Sequence, residues 1–250
     1  MRKPIIQLIL SCAFVVILFS AFKAESYNAG KSIKETVVSN TETIEVLSEE
    51  AIIKASSNLY SKLDLQSLGL SYKAMQYAYK GYEILKQKGV LRNGSILTVV
   101  DFSQSSRKKR MYIIDVDAEK VLHHTYVAHG RNSGLDMATQ FSNTPESLQS
   151  SLGFYVTKQT YIGKHGLSLR LEGKDKGFNC KAEARAVVLH GADYIGNHRV
   201  KSGYNGRSFG CPAVPRAESQ KIINWIKDGT CLFIFHPSNS YLHGSSILNA

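Results

Sequence analysis

At Gly94 the hydrophobic pattern of the chain changes period, and that change limits the folds open to it. Before Gly94, apolar residues recur three and four apart; after it, they come in short runs separated by polar or glycine-rich breaks. Ser48 is a good N-cap, and Glu49 and Glu50 would sit in the positive first turn of a helix whose inner face carries Ile52, Leu59 and Leu63. Ser71 opens a second predicted helix with the stripe Tyr72, Met75, Tyr79 and Tyr82, packed on the following domain and stopped by Gly89. Beyond Gly94, strands are expected at 96–102, 111–116, 121–127, 153–160, 168–171, 186–190 and 231–236, with 117–120 as the turn of a hairpin. One helix interrupts them at 215–228, with Ile222, Ile223 and Ile226 inward and Gly229 after its end. Many short strands joined by glycine-rich connections predict a mainly β domain, an antiparallel sandwich or barrel, preceded by a short α-helical segment.

The N-terminus predicts export. Arg2 and Lys3 precede an apolar stretch over 5–22 broken only by Gln7, Ser11 and Ser20. The stretch approaches the roughly 20 residues that span a bilayer, so cleavage as a signal peptide and retention as a membrane anchor both stay open. The apolar run continues past Cys12, which argues against lipidation there. The expected organisation is a signal or anchor at 1–24, a polar tether at 25–47, a helical segment at 48–92, a catalytic domain at 93–237 and a C-terminal tail at 238–250. The expected location is the periplasm or cell envelope. A formal charge of +11 fits an acidic polymer, an anionic membrane surface or nucleic acid. The densest basic run is only Arg107 to Arg110 and no nucleic-acid motif is present, so nucleic acid is not expected as a partner.

Export changes how the cysteines read. Of four, Cys12 lies in the export segment, and Cys180, Cys211 and Cys231 remain, an odd number. Cys180 and Cys231 are expected to pair or to be buried, leaving Cys211 as the one accessible thiol. Two segments stand out, 187–192 around His190-Gly191 and 206–215 around Ser208-Phe209-Gly210-Cys211. An apolar strand delivers His190 at its end, and Cys211 follows Gly210 in a tight loop before a helix. A helix N-terminus and an imidazole would lower the thiol pKa, and Gly210 would let backbone N–H groups reach an oxyanion. From the residues alone, an inert buried thiol and a satisfied core histidine stay open beside catalysis. A zinc site is disfavoured: among eight histidines there is no His-x-x-x-His, there is no Cys-x-x-Cys, and His123 and His124 on one strand point to opposite faces. No metal and no cofactor is expected.

His190-Gly191, followed after a loop by Ser208-Phe209-Gly210-Cys211, resembles the L,D-transpeptidase signature of His-Gly and then Ser/Thr-His-Gly-Cys. The chain more closely resembles the murein L,D-transpeptidase catalytic-domain family over 58–236. Carrying motifs include 101–103, 127–130, 141–143, 151–155, 163–166, 169–171, Ala184-Arg185 and 206–215. Phe209 stands where most such proteins have His, and Ala213 where they have Asn or Arg; Pro212 follows Cys211 directly. The resemblance implies Cys211 as nucleophile and His190 as base, oriented by a backbone carbonyl rather than by Asp193. It implies attack on the L-centre carbonyl of the third residue of a peptidoglycan stem peptide, loss of the terminal D-amino acid, a thioester, and transfer to an amine. Peptidoglycan stem peptides are thus the expected partner. Gly191 and Gly210 are candidates for the oxyanion site, Arg207 for a substrate carboxylate, Ser208 for holding the loop, and His165 for lining the cleft. Water as acceptor would make a carboxypeptidase. A non-catalytic wall-binding protein, with Phe209 marking decay of the site, and last a zinc peptidase, are the rival readings.

Overall fold

Two serines start the first two helices. In this computed structural model, which describes residues 48–250, Ser48 Oγ accepts the Ala51 N–H at 3.2 Å and Ser71 Oγ accepts the Ala74 N–H at 3.0 Å. They cap α1 (Glu49–Lys62) and α2 (Tyr72–Gln87). The export segment and tether expected over 1–47 lie outside the described residues. Met75, Tyr79 and Tyr82 are buried as the stripe predicts, whereas Tyr72 is exposed and turns its hydroxyl to Ser57 of α1.

Ten strands follow: β1 (Ile96–Asp101), β2 (Met111–Asp115), β3 (Lys120–Thr125), β4 (His129–Gly130), β5 (Gly153–Gly163), β6 (Gly166–Gly173), β7 (Val188–Ala192), β8 (Arg207–Ser208), β9 (Ala213–Pro215) and β10 (Cys231–Phe235). Eight form one barrel-like sheet in the order β3-β2-β1-β10-β5-β6-β7-β9, and β4 pairs with β8. The sheet is mixed rather than wholly antiparallel: β1 runs parallel to β10, and β7 parallel to β9. Parallel partners need long crossovers. The crossover from β7 to β9 is the segment 193–212; after β9, α3 (Arg216–Ile226) leads to β10 and buries Ile222, Ile223 and Ile226.

Every residue of β1 and of β10 is buried, as expected of strands covered on both faces. α2 packs on both strands, so the helical segment is part of the same core. The residues expected as a tail also close on the sheet. α4 (Asn239–Gly244) brings Tyr241 Oη to donate to the buried Asp175 at 3.0 Å, and Ile247 and Leu248 are buried beyond it.

The α2–sheet contact depends on Gly81. A Cβ there would lie 2.0 Å from Phe154 Cζ, and Phe154 is fully buried and stacked on Phe233 at 4.1 Å. Alanine gains about 1 kcal/mol of helix propensity, but overpacking costs about 1–3 kcal/mol, and the ring has no room to swing. Gly81→Ala is therefore expected to lower stability, read as a reduced denaturant midpoint at unchanged slope; a raised midpoint would show that the contact relaxes freely.

Candidate active site

The sheet edge at β6, β7 and β9 builds the site. His190 pairs with Ser168 of β6 and Ala213 of β9, so it sits in the middle of β7 rather than at a strand end as the sequence suggested. The strand runs on through Gly191 and Ala192 because β9 supplies a parallel partner there. A Cβ at Gly191 would lie 2.5 Å from Ser219 Oγ, so only glycine lets α3 approach this closely. His190 is 3% exposed, and its Nδ1 lies 3.1 Å from the Gly191 carbonyl oxygen. A carbonyl only accepts, so Nδ1 carries the proton and Nε2 keeps the lone pair. Burial holds the imidazole below the ordinary histidine range; the Gly191 carbonyl opposes this, and the neighbouring His165, Arg216 and Lys164 add to it. His165, in the turn between β5 and β6, stacks on His190 with ring centroids 4.1 Å apart.

Cys211 lies two residues before β9, alongside the start of β7. The Val188 N–H donates to Sγ at 3.4 Å, and the thiol faces the Ala186 carbonyl oxygen at 3.7 Å. Ala186 holds φ at +52°, a left-handed conformation that is costly for a residue with a Cβ. Among the described residues no hydrogen bond joins Sγ to the imidazole. The Ser208–Cys211 turn is stapled by Ser208, whose Oγ accepts the Gly210 N–H at 3.0 Å and donates to the Cys211 carbonyl at 2.6 Å. Gly210 has φ +122°, and a Cβ would approach the Gln149 carbonyl to 2.9 Å. Its N–H is thus occupied and unavailable to an oxyanion. The N–H of Cys211 itself has no partner among the described residues.

Two sequence expectations change here. The helix expected shortly after Cys211 is present as α3, but β9 lies between them, and the macrodipole that was to lower the thiol pKa acts only over a helix's first turn. Burial therefore pushes the thiol up, opposed by the Val188 N–H and the charges of Arg185 and Lys164. Nor is Cys211 the one accessible thiol: Cys231 is buried, but Cys180 is exposed and free.

Arg185 belongs to the site although its chemistry was not legible in the sequence. Its guanidinium donates to the carbonyls of Ser142 (2.7 Å) and Gln149 (2.8 Å) and to the hydroxyls of Ser151 (2.5 Å) and Ser147 (3.0 Å). It thereby ties the 142–151 loop beneath the Gly210–Cys211 turn. Arg110 is a second arginine whose partners were not legible in the sequence. Wholly buried and pulled down to about 9 by burial, it donates to the Val127 and Gln104 carbonyls and to His129 Nδ1. Burial, and after it the Arg110 charge, hold His129 near 4, and its Nε2 donates to the Gly134 carbonyl. Asp193 is exposed and pairs with Arg216 at 2.7 Å, while Arg207 Nη1 donates to the Arg131 carbonyl. His123 turns to Glu218 and His124 stacks on Tyr112. No group of three or more His, Cys, Asp or Glu that could hold a metal occurs among the described residues.

A family model for the L,D-transpeptidase catalytic domain matches residues 66–235. Among solved structures, an L,D-transpeptidase from Mycobacterium smegmatis is similar at 13% identity and a TM-score of 0.35, over 57% of this chain and 59% of that one. The LD transpeptidase LdtMt1 in complex with imipenem is similar at 13% identity and a TM-score of 0.35, over 56% of this chain and 59% of that one. The chain thus spans less than two thirds of the length of these structures. No curated protein matches it.

Proposed function

The chain belongs to the L,D-transpeptidase catalytic-domain family, and from that premise we propose that it is a cysteine acyltransferase acting on peptidoglycan stem peptides. Cys211 is the nucleophile and His190 the base. The observation that carries this reading is the β7–β9 ladder. It sets the thiol beside Val188 and, two residues along the same strand, an imidazole whose Nδ1 proton is held by the Gly191 carbonyl.

Each step follows from those atoms. Sγ gives its proton to His190 Nε2 and attacks the scissile carbonyl carbon. The oxygen becomes an oxyanion, for which the unpartnered N–H of Cys211 is the candidate backbone donor. His190 returns the proton to the departing amine, the C–N bond breaks, and a thioester remains on Cys211. An acceptor amine then loses its proton to His190 and displaces the thiol. The contact between Sγ and Nε2 closes on substrate binding, since catalytic hydrogen bonds are commonly long in free enzymes. Because the substrate polymer lies outside the cytoplasmic membrane, this reading requires export; the basic-then-apolar stretch over 2–22 supports it. No helix among the described residues is long and apolar enough to cross a membrane.

The test is intact-mass analysis after incubation with a stem tetrapeptide and, separately, with imipenem, whose strained amide acylates nucleophiles. The expected result is a covalent adduct mapped to Cys211, and with an amine acceptor a cross-linked product. Adduct formation with hydrolysis as the only outcome would make the protein a carboxypeptidase. No adduct with either compound would favour a non-catalytic wall-binding role.

A further inference from the structure

Beside the nucleophile turn lies a cavity of about 240 Å³ bounded by Arg131, Arg199, Arg207, Tyr194, Tyr204 and Phe209. Three guanidiniums converge on it, and none has a carboxylate partner among the described residues. The Nε atoms of Arg199 and Arg207 are buried without any hydrogen-bond partner. These unpaired Nε–H groups lie within the cavity wall and add to its positive charge, while Arg207 Nη1 is held by the Arg131 carbonyl at 3.1 Å. Its frame is rigid. Arg207 pairs with His129 in the β4–β8 ladder, and the Arg131 N–H donates to the Ser208 carbonyl at 2.7 Å. Tyr204 is flanked by the guanidiniums of Arg207 (4.5 Å from its ring centroid) and Arg199 (6.0 Å), and Arg131 lies 5.9 Å from the Phe209 ring.

The cavity adjoins the chemistry. Phe209 and Arg207 lie two and four residues before Cys211, on β8 and the turn that follows it. The cations acting on the thiol itself are instead Arg185 and Lys164. The cavity is therefore suited to an anionic group of the substrate some way from the bond that breaks. Exposed at 65%, Phe209 offers an apolar face for the carbon chain next to that anion.

We propose that this three-arginine cavity is a carboxylate subsite, seating a carboxylate of the peptide substrate while Cys211 attacks elsewhere along the same chain. The proposal rests on the peptide-acyltransferase reading above. It assigns to Arg131, Arg199 and Arg207 the recognition of the substrate's charge, and to Phe209 the contact with the carbon chain beside it. Guanidinium forks match carboxylates bidentately, and Phe209 stands where the related signature has His, so this wall is apolar where a second polar ring would stand.

The test separates binding from turnover. Cys211→Ala protein holds peptide without consuming it, so calorimetry on it reads the subsite alone. The ligands are a stem tetrapeptide and versions with each carboxylate in turn converted to the amide. Arg131→Gln and Arg199→Gln are each expected to weaken binding of the carboxylate form about 10- to 100-fold, the loss of one charge-assisted hydrogen bond. Arg199→Lys should recover part of that loss. One amidated peptide should bind equally weakly to parent and variants, identifying the group seated there. Equal losses for every amidated peptide, or no loss in either variant with melting temperatures unchanged, would overturn the proposal. So would a glycerol-phosphate oligomer that binds more tightly than the peptide and loses that advantage in Arg199→Gln, since the cavity would then be a phosphate site. Turnover of the same tetrapeptide by the native enzyme tests the acyltransferase reading independently: a failed turnover with intact selective binding leaves the subsite standing.

Discussion

Cys211→Ala is expected to abolish acyl-enzyme formation and turnover, a loss on the order of a millionfold, as when a covalent nucleophile is removed. The scale follows from the mechanism, because no thioester can form and no neighbouring group replaces the sulfur. Cys231 is buried in β10 and Cys180 lies exposed on a different loop. The fold should survive. The Sγ atom accepts one N–H, from Val188, and faces one carbonyl, so about 1 kcal/mol of stability is at stake. Intact-mass analysis with a stem tetrapeptide reads the chemistry and a thermal melt reads the fold. Full activity in the alanine variant would end the nucleophile assignment, as would loss of wild-type activity on metal chelation alone.

The second large effect is at His190. Asparagine there places an amide N–H where Nδ1 stands and can still donate to the Gly191 carbonyl but cannot accept a proton, so His190→Asn should slow acylation about 10²- to 10⁴-fold at unchanged fold. Asp193→Asn should cost under about tenfold, because Asp193 is exposed and serves Arg216 rather than the imidazole. The pH profile carries the same signature. Burial lowers the imidazole pKa and raises that of the thiol, so the resting pair is neutral. Acylation needs an unprotonated Nε2; its rate should therefore fall only as pH drops through a value below the ordinary histidine value of 6.5. An acid limb at or above 6.5 in single-turnover acylation, or an unchanged limb in His190→Asn, would point to a different base.

The local signals in the sequence were physically sufficient where structure is local. Ser48 and Ser71 cap the helices they were expected to cap, and Gly89, with φ at +65°, follows the second. The 117–120 break forms the β2–β3 turn with Glu119 in the left-handed region. What did not show was pairing between distant segments. β4, β8 and β9 are two or three residues long, too short for any period to register. Their existence depends on partners far away in the chain: β4 and β8 on each other, and β9 on β7. The same holds for Arg185, whose sequence neighbourhood carries no hint that its four acceptors come from 142–151.

The sequence by itself determined the two chemical groups at the candidate site, the mainly β class after Gly94, and the glycines without which the turns could not close. A motif names residue types, and those are local facts. Only the tertiary structure decided the electrostatic state of those groups. Whether Cys211 sits at a helix N-terminus or against a strand depends on β9 pairing with β7 before α3 begins. Packing around the half-buried thiol raises its pKa, where the sequence alone implied a lowered one. Long-range packing sets the dielectric around a charge, and no residue's neighbours in sequence can report it. The three arginines around Phe209 make the same point, drawn from positions 131, 199 and 207 into one cavity by the β4–β8 ladder and the turn beside it.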